Sequence, residues 1–146
     1  MRENLFRGKC YDGKWVEGFY YKRTHYYGEP SVKHYIIVST EALDYDQVFE
    51  YHEVIPETVG QFTGITDKNG KKIFEGDIVK TKYGRLCIVG WFSSPVHNGW
   101  DLETIRTAEN CAHTRYPDSF DLYKKENLEV IGNICDNPEL LEVQNV

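Results

Sequence analysis

Residues 57–92 read ETVGQFTGITDKNGKKIFEGDIVKTKYGRLCIVGWF. Three strand-length runs and two short turn signals alternate in it. Glu57 to Ile65 carries Val59, Phe62 and Ile65 and reads as a strand. Asp67-Lys68-Asn69-Gly70 follows, and its Asn-Gly step suits the two positive-φ positions of a type I′ hairpin turn. Gly76-Asp77 opens a second strand, Ile78 to Lys82; Tyr83-Gly84 makes another turn, and Leu86 to Phe92 returns as an apolar strand. Two consecutive hairpins with short turns make a meander, a unit that closes into small barrels. The fold class is therefore expected to be mainly β.

Toward the N-terminus the same grammar continues. Asp12-Gly13 signals a turn before Lys14 to Tyr21, where Trp15, Glu17, Phe19 and Tyr21 share one face and Val16, Gly18 and Tyr20 the other. Gly28-Glu29-Pro30 separates this strand from His34 to Thr40. The acidic stretch that follows holds Leu43, Tyr45, Val48, Phe49, Tyr51 and Val54, and its aromatic and β-branched content favours strand. Toward the C-terminus, Ser93 to Gly99 reads as a loop by composition, Trp100 to Ile105 as a strand, Arg106 to Glu126 as a long excursion with a short helix, and Leu128 to Ile131 as a strand. Asn137-Pro138-Glu139 has an N-cap residue, a proline at the first helical position and an acid in the first turn, so a short terminal helix carrying Leu140, Leu141 and Val143 is expected. The reading divides the chain into an N-terminal β lobe, 1–56, and a small-barrel lobe, 57–146, with an excursion near 93–127, or leaves it as a single domain, 1–146.

Composition sets the outer limits. The 146 residues suffice to bury a core without staples, and the eleven tyrosines suit pleated surfaces with one wet edge. No apolar h-region follows the charged start and no run is long enough to span a bilayer, so the expected compartment is the cytoplasm of whatever cell makes the chain, and no membrane partner is expected. Cys10, Cys87, Cys111 and Cys135 are widely spaced and are read as reduced thiols, some of them packed as small core residues. Net charge is -6 and uneven. His34 to Asp67 has seven acids and no Lys or Arg, whereas Lys68 to Arg85 has six bases and two acids. That basic segment, with Lys68, Lys71, Lys72, Lys80, Lys82 and Arg85, is the candidate nucleic-acid contact in an otherwise repulsive chain; the plainer reading is a hairpin with a lysine-solvated face.

Chemical motifs are scarce. The sequence has no phosphate-binding glycine loop, no nucleophile elbow and no zinc spacing. No catalytic residue, metal ligand or cofactor is assigned. Cys111 and His113, with His97 upstream, are the nearest approach to a thiolate-imidazole pair, and a surface loop is the plainer reading. Tyr20, Tyr21, Tyr26 and Tyr27, interleaved with Lys22, Arg23 and His25, form a candidate aromatic surface for stacking, against a tyrosine-rich sheet face and hairpin tip. Glu75 and Asp77 flank a glycine at a strand entrance, where Asp ordinarily accepts backbone N–H bonds.

Three blocks in fixed order carry a family resemblance. They are Leu5-Phe6-Arg7-Gly8-Lys9 with Gly13-Lys14-Trp15-Val16-Glu17-Gly18; Pro56 through Val79; and Leu128 through Ile134 with Asn137-Pro138-Glu139-Leu140-Leu141. Together they resemble the YopX family of phage and prophage proteins over nearly the whole chain, with departures in Lys22 to Phe49 and Ser93 to Glu126. The resemblance implies a mostly β protein that includes an SH3-like small barrel, and it brings no catalytic residues with it. Its signature positions are Gly8, Trp15, Gly18, Gly60, Phe62, Gly64, Asp67, Asn69, Gly70, Gly76, Asp77, Gly132 and Asn133, and these are read as structural: Gly64, Gly70, Gly76 and Gly132 for turns or close backbone approach, Phe62 with Ile78 and Val79 for the core. The function expected is that of a non-enzymatic phage or prophage accessory protein that binds a macromolecule, either an unknown protein or a second copy of itself. Nucleic acid bound at the 68–85 hairpin is the alternative.

Overall fold

The computed structural model describes residues 4–41, 47–82, 84–95, 97–106 and 128–142. The chain is mainly β, with ten strands and two 3-10 turns among these residues: β1 (Phe6–Lys9), β2 (Trp15–His25), β3 (Ser31–Glu41), β4 (Gln47–Glu53), β5 (Gly60–Thr66), β6 (Lys72–Phe74), β7 (Asp77–Thr81), β8 (Leu86–Ser94), β9 (His97–Arg106) and β10 (Leu128–Asn133). It divides into two compact units, Met1–Phe62 and Thr63–Val146.

In the first unit the strand order is β4-β3-β2-β1-β5, and neighbouring strands run antiparallel. β2 runs four residues past the expected end at Tyr21, because Lys22, Arg23, Thr24 and His25 find partners in His34, Lys33, Val32 and Ser31. Ile36 and Val54 are fully buried. A Cβ at Gly8 would press on the Val54 side chain, and one at Gly18 would strike the Ile37 carbonyl, so both signature glycines mark close approach. The strand expected from Glu57 begins only at Gly60. Pro56–Thr58 is a 3-10 turn instead, in which the Thr58 hydroxyl donates to the Ile55 carbonyl at 2.6 Å and accepts from the Lys9 N–H at 2.8 Å. Pro56 favours that start, having no N–H to place in a ladder.

β5 carries the chain into the second unit, where it pairs with β6. There the curled sheet order is β10-β7-β8-β9, an antiparallel meander with register shifts at Val130/Gly132 and Leu86/Cys87. Such irregularities add local twist and bend the strands that carry them. Ile73, Val79, Cys87, Val89, Leu102 and Leu128 form the core, with Ile65, Trp100 and Val130 packed on it. Each aliphatic side chain so buried contributes about 1.5–3 kcal/mol against exposure. Phe62 is only half-buried, while Ile78 and Val79 are fully buried.

The turns correct one expectation. Gly70 N–H donates to the Asp67 carbonyl at 3.0 Å and Asp67 N–H to the Lys71 carbonyl at 2.8 Å. This is a three-residue loop closed by a left-handed glycine, Gly70 at φ 81°, and not a type I′ turn centred on Asn69-Gly70. The reason is the Asp67 carboxylate: its Oδ1 accepts the N–H groups of Asn69 and Lys71 at 2.8 and 2.9 Å and favours the longer loop. The same pair of backbone bonds joins Cys10 with Gly13 and Lys14, and Thr81 with Gly84 and Arg85. A second correction concerns Ser93 to Gly99. This is no loop: Phe92 pairs with Gly99, Ser93 with Asn98 and Ser94 with His97, so the hairpin continues almost to its tip. At the C-terminus the expected helix is a 3-10 turn, Pro138–Leu141, and the Asn137 side chain does not cap it. Asn137 Oδ1 accepts the Asn133 N–H at 3.2 Å, beside Gly132, where a Cβ would collide with it. Among the described residues no helix is long and apolar enough to cross a membrane.

Candidate functional site

Strand pairing in the first unit assembles a face that no local run announces. The registers align Phe19 with Ile37 and Tyr51, and Tyr21 with Tyr35 and Glu53, while Phe49 lies opposite Ser39. Residues directly opposite share a face, as do residues two apart. Phe19, Tyr21, Tyr35, Ile37, Phe49 and Tyr51 therefore stand on one side of β2-β3-β4. Phe19 is 59% exposed, Tyr21 44%, Phe49 49% and Tyr51 62%. Charges of both signs rim them: Glu17, Arg23, and Lys33 with its Nζ 3.8 Å from Glu53 Oε2.

The opposite face behaves differently. Tyr20 is half-buried, its ring 5.4 Å from that of Phe6 and stacked 5.7 Å from that of His34, with its hydroxyl bonded to His34 Nδ1. Burial raises its pKa. Tyr20 and Tyr21, expected as neighbours on one aromatic surface, thus belong to opposite faces, because successive strand residues alternate. Tyr26 and Tyr27 sit at the β2–β3 tip, Tyr27 at 99% exposure. Phe19, Phe49 and Tyr51 are the members that sequence reasoning left out of the surface.

The lysines of 68–85 fall in two turns and the strands beside them. The Lys68 N–H donates to the Leu128 carbonyl, and Leu128 lies opposite Thr81, so the two turns meet at one end of the second unit. Lys68, Lys71, Lys80 and Lys82 are exposed there, and Lys72 on β6 is exposed as well. Glu129 stands among them: it is opposite Lys80, and its Oε2 is 3.2 Å from Lys68 Nζ. Arg85 is a correction. It is only 8% exposed, following the turn into β8, and so offers no surface guanidinium.

The buried acids of this unit hold backbone. Asp67, 2% exposed, accepts from Asn69 and Lys71 through Oδ1 and from Val130 through Oδ2 at 2.9 Å. Burial pushes its carboxyl up, but these three N–H donors and the Lys71 ammonium outweigh that and hold it below the usual range. Asp77 Oδ2 accepts the Phe74 N–H at 2.8 Å across the Glu75-Gly76 turn, and Asp101 Oδ1 that of Leu102. Cys87 lies in the core with Sγ 3.9 Å from Thr104 Oγ1; Cys10 is half-buried, its thiol raised by burial and by Asp12 against the opposing effect of Lys14. Among the described residues no three His, Cys, Asp or Glu side chains gather as a metal would need. Cys111 and His113 lie outside the described residues, as does the His97 side chain.

A family model described as "YopX protein" matches residues 5–142. The chain belongs to the YopX family. The match covers both units of this YopX chain, from β1 to the last 3-10 turn. The comparison with curated proteins gave no match. Among solved structures the chain is similar to the crystal structure of protein EF1440 from Enterococcus faecalis, at 20% identity and a TM-score of 0.47, over 95% of this chain and 97% of that one.

Proposed function

We propose that this YopX chain is a non-enzymatic binding protein, a phage or prophage accessory protein acting in the bacterial cytoplasm, whose working surface is the aromatic face of β2-β3-β4. One observation carries the reading: four large aromatic side chains, Phe19, Tyr21, Phe49 and Tyr51, stand exposed together on one sheet face. Contiguous apolar patches on an otherwise charged chain mark interaction sites, and Tyr and Phe are favoured at protein interfaces. The mixed rim of Glu17, Arg23, Lys33 and Glu53 suits protein better than a phosphate backbone. The test places a photo-crosslinking phenylalanine analogue at position 19 in living bacteria. Protein adducts formed from position 19, and lost when Phe49 and Tyr51 become Ser, are expected; no protein adduct would overturn the reading.

The gathering of Lys68, Lys71, Lys80 and Lys82 at one end of the second unit favours a second reading, nucleic-acid binding there. It requires binding to a short duplex or single strand at low salt that weakens steeply as salt rises and on changing Lys80 and Lys82 to Glu. No binding at low salt would remove it.

A further inference from the structure

The β2–β3 hairpin outruns the strands on either side of it. β1 pairs with β2 no further along than Gly18. On the β3 side the last bond comes from Val54, the residue after β4, whose N–H donates to the His34 carbonyl at 2.9 Å. Beyond it the Arg23–Lys33, Thr24–Val32 and His25–Ser31 pairs continue as a two-stranded ribbon closed by residues 26–30, and among the described residues no third strand flanks them. From Tyr21 to Lys33 every residue is exposed except His25 and Lys33, which are half-buried. Tyr26 and Tyr27 at the tip are 76% and 99% exposed. A two-stranded ribbon alone is marginal in water. This one is tied to the sheet by His25, whose Nε2 shares a hydrogen bond of 3.1 Å with the Tyr35 hydroxyl. Lys22 and Arg23 are successive strand residues and so project from opposite faces of the arm. Lys33, on the Arg23 face, has its Nζ 3.8 Å from Glu53 Oε2. The one acid of the arm, Glu29, is at the tip. Net charge of the chain is -6, but the three pairs set the tip about 10 Å beyond the sheet, more than the Debye length of about 8 Å at physiological salt, so the acidic remainder is largely screened from what the tip meets.

We propose that this arm enters the major groove of duplex DNA, tip first. The proposal depends on neither reading above. Dimensions select the groove. A ribbon with side chains on both faces is about 10 Å thick, the spacing at which sheets stack. The major groove of B-form DNA is about 12 Å wide and about 8.5 Å deep, whereas the minor groove is only about 6 Å wide. The major groove of duplex RNA is too narrow for side chains to read. With the tip at the floor, Lys22 and Arg23 stand about 10–14 Å back along the strand, at the height of the rim. Their opposite faces then present one cation to each phosphate wall. Glu29, which a phosphate would repel, lies among base edges instead, where a carboxylate accepts from the cytosine amino group. Gly28, at φ 83°, lets the chain reverse tightly there and leaves the Tyr26 and Tyr27 hydroxyls to meet the same floor.

Fluorescence anisotropy of a short labelled duplex, titrated with the full chain from low salt upward, tests the arm. Duplex DNA should bind and duplex RNA of the same sequence should not. Two phosphate contacts predict a log–log salt slope of about −2, and Lys22→Ala or Arg23→Ala should each bring it to about −1 and weaken binding several-fold. Both side chains are exposed, so circular dichroism of these variants should match the wild type. Glu29→Gln should relax a preference for C·G over A·T base pairs while leaving the salt slope unchanged. No binding of duplex DNA at low salt would overturn the proposal, as would equal binding of duplex RNA. Tighter binding of a single strand would overturn it in favour of tyrosine stacking. Binding that survives both arm substitutions and is lost on changing Lys80 and Lys82 to Glu would overturn it in favour of the second unit's lysines.

Discussion

The β2-β3-β4 face of the first unit and the β10-β7-β8-β9 meander of the second are written in the same alphabet and end differently. Both are antiparallel, both alternate, and both set large apolar residues opposite one another. In the meander, Val79, Val89, Leu102 and Leu128 are fully buried. On the first unit's face, Phe19 and Tyr51 occupy equivalent central positions and keep more than half their surface in water. A sheet acquires an apolar face from its own alternation, but what covers that face is decided elsewhere in the chain. The uncovered face is therefore the one available to a partner.

The largest effect should come from the meander's interior. Leu102, at 0% exposure within the core, should cost about 3–4 kcal/mol when replaced by Ala, since both transfer energy and a residual cavity are lost. Urea unfolding followed by far-ultraviolet circular dichroism measures it. A cost near zero would mean that the meander is no more closed than the aromatic face, and the comparison would fail.

Next comes the tie that closes the meander from a distance. Asp67 and Val130 are 63 residues apart and joined by one carboxylate oxygen, while the other oxygen holds the turn. Asp67→Asn keeps the shape but removes the charge and one acceptor, so about 2 kcal/mol should be lost. The wild type should show a matching acid dependence. The Asp67 pKa is lowered in the folded chain, so the unfolded chain binds its proton at higher pH, near the ordinary value of about 3.9. Its stabilisation is fully present above that value and is lost as pH falls through the folded pKa. Unfolding curves of the Asn variant should be flatter than wild type on the acid side of pH 4; equal slopes would show that Asp67 contributes no linkage.

What could be read beforehand follows the range of the interactions. The β7–β8 hairpin and the start of β2 were legible, because alternation and turn glycines are local signals. The hairpin past Phe92 was not: Ser, Pro, His and Asn look like loop residues, yet the ladder set by the Val89–Leu102 and Trp91–Trp100 pairs carries them into register. Asp67 was legible as a turn residue and illegible as a tie to Val130, which lies far along the chain. The aromatic surface was half legible. Tyr26 and Tyr27 are at a tip as their context suggested, but Tyr20 was grouped with Tyr21 across the pleat, and Phe49 and Tyr51 stood hidden in an acidic run until β4 paired with β3. Arg85 read as one more base of a positive segment, and only the Thr81–Arg85 turn, with its backbone bond of 2.8 Å, turns it into the protein.

A smaller effect tests the turn that leads into the meander. Gly70 has a φ of 81°, where a Cβ is strained even with open space around it. Gly70→Ala should cost about 1–2 kcal/mol. Gly70→Asn should recover part of it, since Asn tolerates the left-handed region better. Thermal unfolding of the two variants measures the difference, and an Ala variant as stable as wild type would show that the loop has relaxed to another turn.

The smallest expected effect bears most directly on the uncovered face. Phe19→Ser and Tyr51→Ser remove large side chains that are already 59% and 62% exposed. If the face has no intramolecular cover, each should change the stability of the isolated chain by less than about 1 kcal/mol, far below the cost at Leu102. Both stand opposite Ile37, so each change loses one cross-strand contact and the two effects should be alike. Measured at a concentration too low for association, a loss as large as that of Leu102→Ala would mean that the chain itself covers these rings. Measured at high concentration, a loss that appears only there would assign the burial to a second molecule, because association adds stability in proportion to the logarithm of concentration while an intramolecular contact does not.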